Sequence, residues 1–257
     1  MIVALIDNGS LEAGAHRKLR LLAAELSRRT GVEVQAVSWK HSDRAAVAEL
    51  GGVPGEVLAT FVHRHVATGH RAFRFVPFFI SSQGAIGTAL RRDLEELSRQ
   101  AGGLKFDFTR GLAEAGVLPA ILADRVRATE VDANLRGAPV IVVDHGGPSA
   151  ESARLRDAIA AEVSRLLRRP VRPGSMEGAH PPLLADLLAE PEFAGRDVVV
   201  AQLFLAPGRH AGPGGDIEEI CRSSAARCHR TALAGDHPLA AEALADAIRS
   251  SLSNQSN

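Results

Sequence analysis

The chain has 257 residues, with 30 Lys+Arg against 30 Asp+Glu, 46% hydrophobic residues and 2 cysteines. Zero formal charge excludes the basic footprint of a general nucleic-acid binder, and two cysteines exclude a disulfide framework or a four-cysteine zinc or iron–sulfur site built by this chain alone. Met1–Asp7 lacks a basic n-region and no apolar run reaches about 18 residues, so neither a signal peptide nor a membrane partner is expected, and the cytoplasm is the expected location.

The apolar, β-branched run Ile2–Ile6 predicts a strand buried on both faces, as in a parallel sheet. A turn at Gly9 leads to a helix whose apolar stripe is Leu19, Leu22, Ala23 and Leu26. Val32–Val37 predicts the second strand and Phe73–Ile80 the third. Between them, His63 and His65 fall about 200° apart on a helix, too far to share a metal with each other, although His70 follows closely. A polar stretch from Asp132 to Gly137 marks a boundary, giving expected domains 1–133 and 137–257.

The same order then recurs. Val140–Val143 predicts a strand, Ile159, Val163 and Leu167 a helix, Val171 opens the next strand, and Val198–Leu205 predicts the third. Cys221 and Cys228 fall on a predicted helix, where seven-residue spacing gives them one face and a packing role. His237-Pro238 reads as a helix start.

The recurrence is literal. A shift that lays Val3 on Val140 and Ser38 on Ser175 makes 12 of 36 aligned residues identical, including Asp7 on Asp144 and Gly9 on Gly146. Further on, Asp93-Leu94-Glu95-Glu96-Leu97 matches Asp216-Ile217-Glu218-Glu219-Ile220. The expected fold is α/β: two homologous lobes, each a parallel sheet flanked by helices, with ligands beyond the carboxyl ends of the strands.

Against this repeat the differences are informative. Asn8 aligns with His145, Lys40 with Glu177, and the loop after the third strand carries His210 in the second half, where the first half has no histidine through Leu90. The second half therefore places two imidazoles and a carboxylate at strand ends. Neutral imidazoles ligate iron, cobalt, nickel, copper and zinc, and they accept protons near neutrality.

The segments Val143-Asp144-His145-Gly146, Phe204-Leu205-Ala206-Pro207-Gly208-Arg209-His210 and Leu233-Ala234-Gly235-Asp236-His237-Pro238-Leu239 resemble the sirohydrochlorin chelatases, ATP-independent class II enzymes, in their long two-lobe form. The resemblance implies a cleft between lobes that holds the tetrapyrrole, and insertion of Co²⁺ or Fe²⁺ on the way to cobalamin or sirohaem. It implies catalytic and metal-handling roles for His145 and His210, with Glu177 assisting, and no ATP or iron–sulfur cluster. The absence of a Gly-rich phosphate loop ending in Lys-Ser or Lys-Thr agrees with the first of these. The substrate's carboxylates call for cations, for which Arg209 and Lys40 are the candidates by position, with His41 behind them. His180 is a second-tier candidate near Glu177. Many long-form members carry the histidine pair in the first half, whereas here it is in the second, and Ala211–Gly215 lengthen the His210 loop. A non-catalytic tetrapyrrole- or metal-binding protein is the alternative; homodimerisation stays open.

Overall fold

The computed structural model describes residues 1–81, 84–147 and 149–253. It contains two four-stranded, all-parallel sheets. The first has the order β2 (Val34–Ser38), β1 (Ile2–Asp7), β3 (Ala72–Pro77), β4 (Lys105–Phe108). The second repeats it with β6 (Val171–Gly178), β5 (Val140–Gly147), β7 (Asp197–Gln202) and β8 (Arg227–Arg230). The central strands are fully buried, Val3 to Ile6 in one sheet and Val140 to Val143 in the other, because parallel crossovers place helices on both faces. Corresponding helices follow: α1 (Ala13–Thr30), α2 (Leu58–Ala67), α3 (Gly84–Gln100) and α4 (Leu118–Asp132) in the first half; α5 (Ala150–Leu167), α6 (Leu184–Ala189), α7 (Asp216–Ser223) and α8 (Pro238–Ser253) in the second.

The cores differ in chemistry. In the first sheet Phe61, Phe73, Phe75 and Phe79 pack with Leu58, Leu90 and Leu94. The second is mainly aliphatic, with Ile141, Val143, Leu184, Leu187, Val198 and Val200.

The chain divides into two compact units, Met1–Ala115 with Ala241–Asn257, and Gly116–Ala240. This grouping differs from a division at 133/137. Helix α4 closes the first half of the sequence but packs on α5, and most of α8 belongs with the first unit. Part of the reason is a buried cation. Arg74 on β3 is 3% exposed and needs compensation; Nε and Nη2 donate to Asp107 at 2.7 Å and Nη1 donates to Ser251 of α8 at 2.9 Å.

Two expectations change. The fourth strands β4 and β8 were not apparent from pattern. Cys221 and Cys228 do not share a helix: Cys221 is in α7, which ends at Ser223, and Cys228 is in β8. Ser224 turns extended, and its hydroxyl accepts from the Ala226 N–H, which breaks the helix before the second cysteine. In α2, His65 is buried on Gln35, with Nε2 3.0 Å from Oε1, while His63 is exposed.

The repeat also exposes a local cost. Helix α1 ends on Gly31 at φ 74°, and the aligned residue that ends α5 is Arg168 at φ 55°. A side chain in left-handed backbone is penalised where glycine is not. Arg168→Gly is expected to raise unfolding free energy by about 1 kcal/mol, measured by urea denaturation; an unchanged or lower midpoint contradicts this.

Candidate metal centre

The site grows from the carboxyl ends of β5, β6 and β7, all within the second unit. Asp144, near the end of β5, accepts a 2.6 Å hydrogen bond from the Ser175 hydroxyl of β6. Ser175 is 1% exposed and in turn accepts from Arg156 of α5, which is 2% exposed. Arg156 also donates to the His180 carbonyl at 3.2 Å and to the Asp157 carboxylate. Burial holds the Asp144 carboxyl above the usual carboxylate range, against the opposing pull of the Ser175 hydrogen bond and the Arg156 charge.

This linkage clamps β5 to β6, and beyond it the register pairs Gly146 with Glu177 and Gly147 with Gly178. Gly146 has φ 82°, and a Cβ there would lie 1.8 Å from the Glu177 carbonyl oxygen. Only glycine permits that approach, and the approach brings His145 beside Glu177. His145 Nε2 lies 3.6 Å from Glu177 Oε1. The third group arrives from the loop after β7: the His210 ring meets the His145 ring edge to face, with centroids 4.5 Å apart at 85°.

The Ala211–Gly215 insertion has a structural purpose. It folds into a turn in which Gly212 N–H donates to the Gly208 carbonyl at 2.8 Å and Gly215 N–H donates to that of Gly212 at 3.1 Å. Its return carries Asp216, the first residue of α7, back to His210, with Nδ1 and Oδ2 2.6 Å apart. Added side-chain bulk at Gly215 would fall 2.5 Å from the Arg209 carbonyl, so the turn needs glycine there. Asp216 is the residue that sequence reading missed as functional. Its signal was a carboxylate six residues after a candidate histidine, hidden by a Gly-rich spacer.

Hydrogen bonding selects the tautomers. His210 Nδ1–H donates to Asp216, and His145 Nδ1–H donates to the Gly146 carbonyl at 3.2 Å. Both Nε2 lone pairs are thereby left for an ion. Among the described residues, His145, Glu177 and His210 form the one group of three or more such side chains that could hold a metal, with one ligand atom from each all within 4.8 Å of one another. Imidazole and carboxylate donors with open positions fit a divalent first-row ion.

The other candidates fall elsewhere. Arg209 is largely exposed, its Nε 3.8 Å from Asp216 Oδ2. His180 contributes its carbonyl to Arg156. In the first unit, Gly9 at φ 89° makes the same close approach to the Lys40 carbonyl, which confirms the alignment of Lys40 with Glu177. There Lys40 Nζ lies 3.3 Å from Asp93 Oδ2 and 4.0 Å over the Trp39 ring, while Trp39 Nε1 donates to the same carboxylate at 3.0 Å. Asp93 aligns with Asp216, so the equivalent carboxylate holds an ammonium in one unit and an imidazole in the other. His41 is exposed and its Nδ1 is 2.7 Å from an Arg44 nitrogen. Residues 82 and 83 of the histidine-free loop lie outside the described residues.

Residues 139–251, which span β5 to α8, match the CbiX family. No curated protein matches the chain. Among solved structures it is similar to SirB from Bacillus subtilis with Fe³⁺, at 14% identity and TM-score 0.69, covering 100% of this chain and 98% of that one. A structure of CbiX, described as the terminal enzyme for biosynthesis of sirohaem in denitrifying bacteria, gives 16% identity and TM-score 0.69 over 97% and 99%. The sirohydrochlorin chelatase SirB from B. subtilis subspecies spizizenii in complex with cobalt gives 14% and 0.68 over 99% and 97%. These likenesses establish the fold.

If Asp216 sets the His210 tautomer, Asp216→Asn is expected to weaken Co²⁺ binding by about 10–100-fold, followed by the visible cobalt spectrum on titration. Unchanged affinity contradicts the role.

Proposed function

We propose, starting from a chain whose residues 139–251 match the CbiX family, that the protein is an ATP-independent sirohydrochlorin chelatase, a lyase that places Co²⁺ or Fe²⁺ into sirohydrochlorin. The observation that carries the proposal is the convergence of His145, Glu177 and His210, with both Nε2 lone pairs unengaged by backbone or by Asp216. The metal is substrate here, so the ligands must release it as well as bind it. Three protein groups with two of them substantially exposed suit that better than a closed four-ligand cage.

The chemistry exchanges one divalent ion for two protons on the inner pyrrole nitrogens. Metal binding to a macrocycle requires deprotonated donors, and the protons need acceptors at neutral pH. His145 and His210, each anchored through Nδ1, can pass the ion on from Nε2 and then take up a proton at the vacated atom. Glu177, 3.6 Å from His145, stabilises the imidazolium that results. Asp216 does the same for His210 from the other side of the ring. Phosphoryl transfer has no part in this balance. Arg209, largely exposed and 3.8 Å from Asp216, is the cation this reading assigns to a substrate carboxylate, whereas Lys40 lies 3.3 Å from Asp93. The product would enter sirohaem or cobalamin synthesis, in the cytoplasm.

The alternative, a non-catalytic tetrapyrrole or metal carrier on the same scaffold, draws on the first unit, where Asn8 and Lys40 stand in place of the histidine and the carboxylate. The test is anaerobic mixing of the protein with sirohydrochlorin and Co²⁺ or Fe²⁺, followed by absorbance. Multiple turnovers are expected, with kcat/KM lowered at least about 100-fold by His145→Ala or His210→Ala. Metallation no faster than without protein, or stoichiometric binding without turnover, contradicts the enzyme.

A further inference from the structure

The first unit has its own cavity, of about 470 Å³, on the far side of β3 from Lys40. It opens at the carboxyl ends of β3 and β4, the position where parallel sheets bind ligands. Phe79 and Phe108 line it, together with Thr88, Thr109, Arg91 and Arg110, and with Glu114. The Arg91 guanidinium lies over the Phe108 ring at 5.0 Å. Stacking holds a guanidinium flat while leaving its N–H edge free to meet a carboxylate in two parallel hydrogen bonds. Neither Arg91 nor Arg110 is ion-paired among the described residues, whereas Glu114 is engaged by the Ser81 hydroxyl at 3.2 Å. Two guanidinium groups against one carboxylate leave one net positive charge in the cavity.

The duplication supplies an internal control. The strand registers pair Phe75 with Phe108 and Val200 with Arg230, so Thr109 corresponds to Thr231 and Arg110 to Ala232. Counting back from Asp93 and Asp216, Arg91 corresponds to Gly214. The buried threonine occurs in both units; the two arginines occur only in the first. Helix α3 begins well before the point equivalent to the start of α7, and this extra length carries Arg91. The unit that lacks the counterparts of His145 and His210 thus carries a pair of arginines in this cavity that the other unit does not have at the equivalent positions.

We infer that this cavity is a carboxylate-binding site, taking a monocarboxylate attached to a flat apolar body, with Arg91 and Arg110 on the carboxylate and Phe79 and Phe108 on the body. A free aromatic acid and a carboxylate arm of a larger ring compound present the same chemistry. The first of these does not depend on the chelatase reading.

The test is calorimetric titration of the full chain with benzoate and, separately, with metal-free uroporphyrin, comparing wild type, Arg91→Gln and Arg110→Gln. Benzamide, which lacks the charge, serves as control. Co²⁺ binding at His145, Glu177 and His210 should be unchanged in both variants and reports that they are folded. Benzoate binding that falls about 10-fold or more in each variant, with benzamide not binding, supports a site for small acids. The same loss with uroporphyrin supports a site that takes a substituent of the macrocycle. Binding of neither probe, or binding that both variants retain, overturns the inference whatever the outcome of the chelatase assay.

Discussion

The second unit depends on a buried hydrogen-bonded chain, Arg156 to Ser175 to Asp144. An arginine that is 2% exposed and a carboxylate beside it cannot stay in the interior unpaired, so the serine between them joins α5, β6 and β5 at one point. Once that point is set, the two strands leave the core close enough that Gly146 must be glycine, and His145 and Glu177 emerge next to each other. The first unit keeps the same joint in Asp7 and Ser38, where burial again raises the aspartate and the serine hydrogen bond opposes it. The clamp is thus part of the scaffold, and the residues displayed beyond it are free to differ.

What they display has diverged in opposite directions. One unit presents two imidazoles and a carboxylate with both Nε2 atoms free for an ion. The other fills the equivalent place with Lys40, whose ammonium already satisfies Asp93. A cation supplied by the chain and one supplied by solution are electrostatic alternatives at the same carboxylate. Each unit therefore uses the equivalent aspartate, the first residue of α7 in one and a mid-helix residue of α3 in the other, to hold a different group, His210 through Asp216 and Lys40 through Asp93.

Much of this was legible in the sequence. Continuous apolar runs such as Ile2–Ile6 reveal parallel strands because burial on both faces removes the alternation, and the aligned repeat reveals where the halves differ. Strands β4 and β8 were not legible, since Lys105–Phe108 and Arg227–Arg230 lie at sheet edges, are only partly buried and mix charge with apolar residues. The exchange of α4 and α8 was not legible either. An amphipathic stripe tells that a helix buries one face, but not against which sheet; Arg74 and Ser251, far apart in sequence, help decide it. The partnership of His210 and Asp216 depends on a turn whose return direction is set by backbone hydrogen bonds at Gly208, Gly212 and Gly215, which spacing alone does not encode.

On the proposed reading, metal handling belongs to the second unit alone. Anomalous diffraction at the cobalt edge from crystals soaked in Co²⁺ tests it directly. A peak bonded to Nε2 of His145 and His210 with Glu177 in reach is expected, and none beside Asn8, Lys40 and Asp93. A peak at the first-unit position, or cobalt bound through Nδ1 with Asp216 displaced, would contradict it.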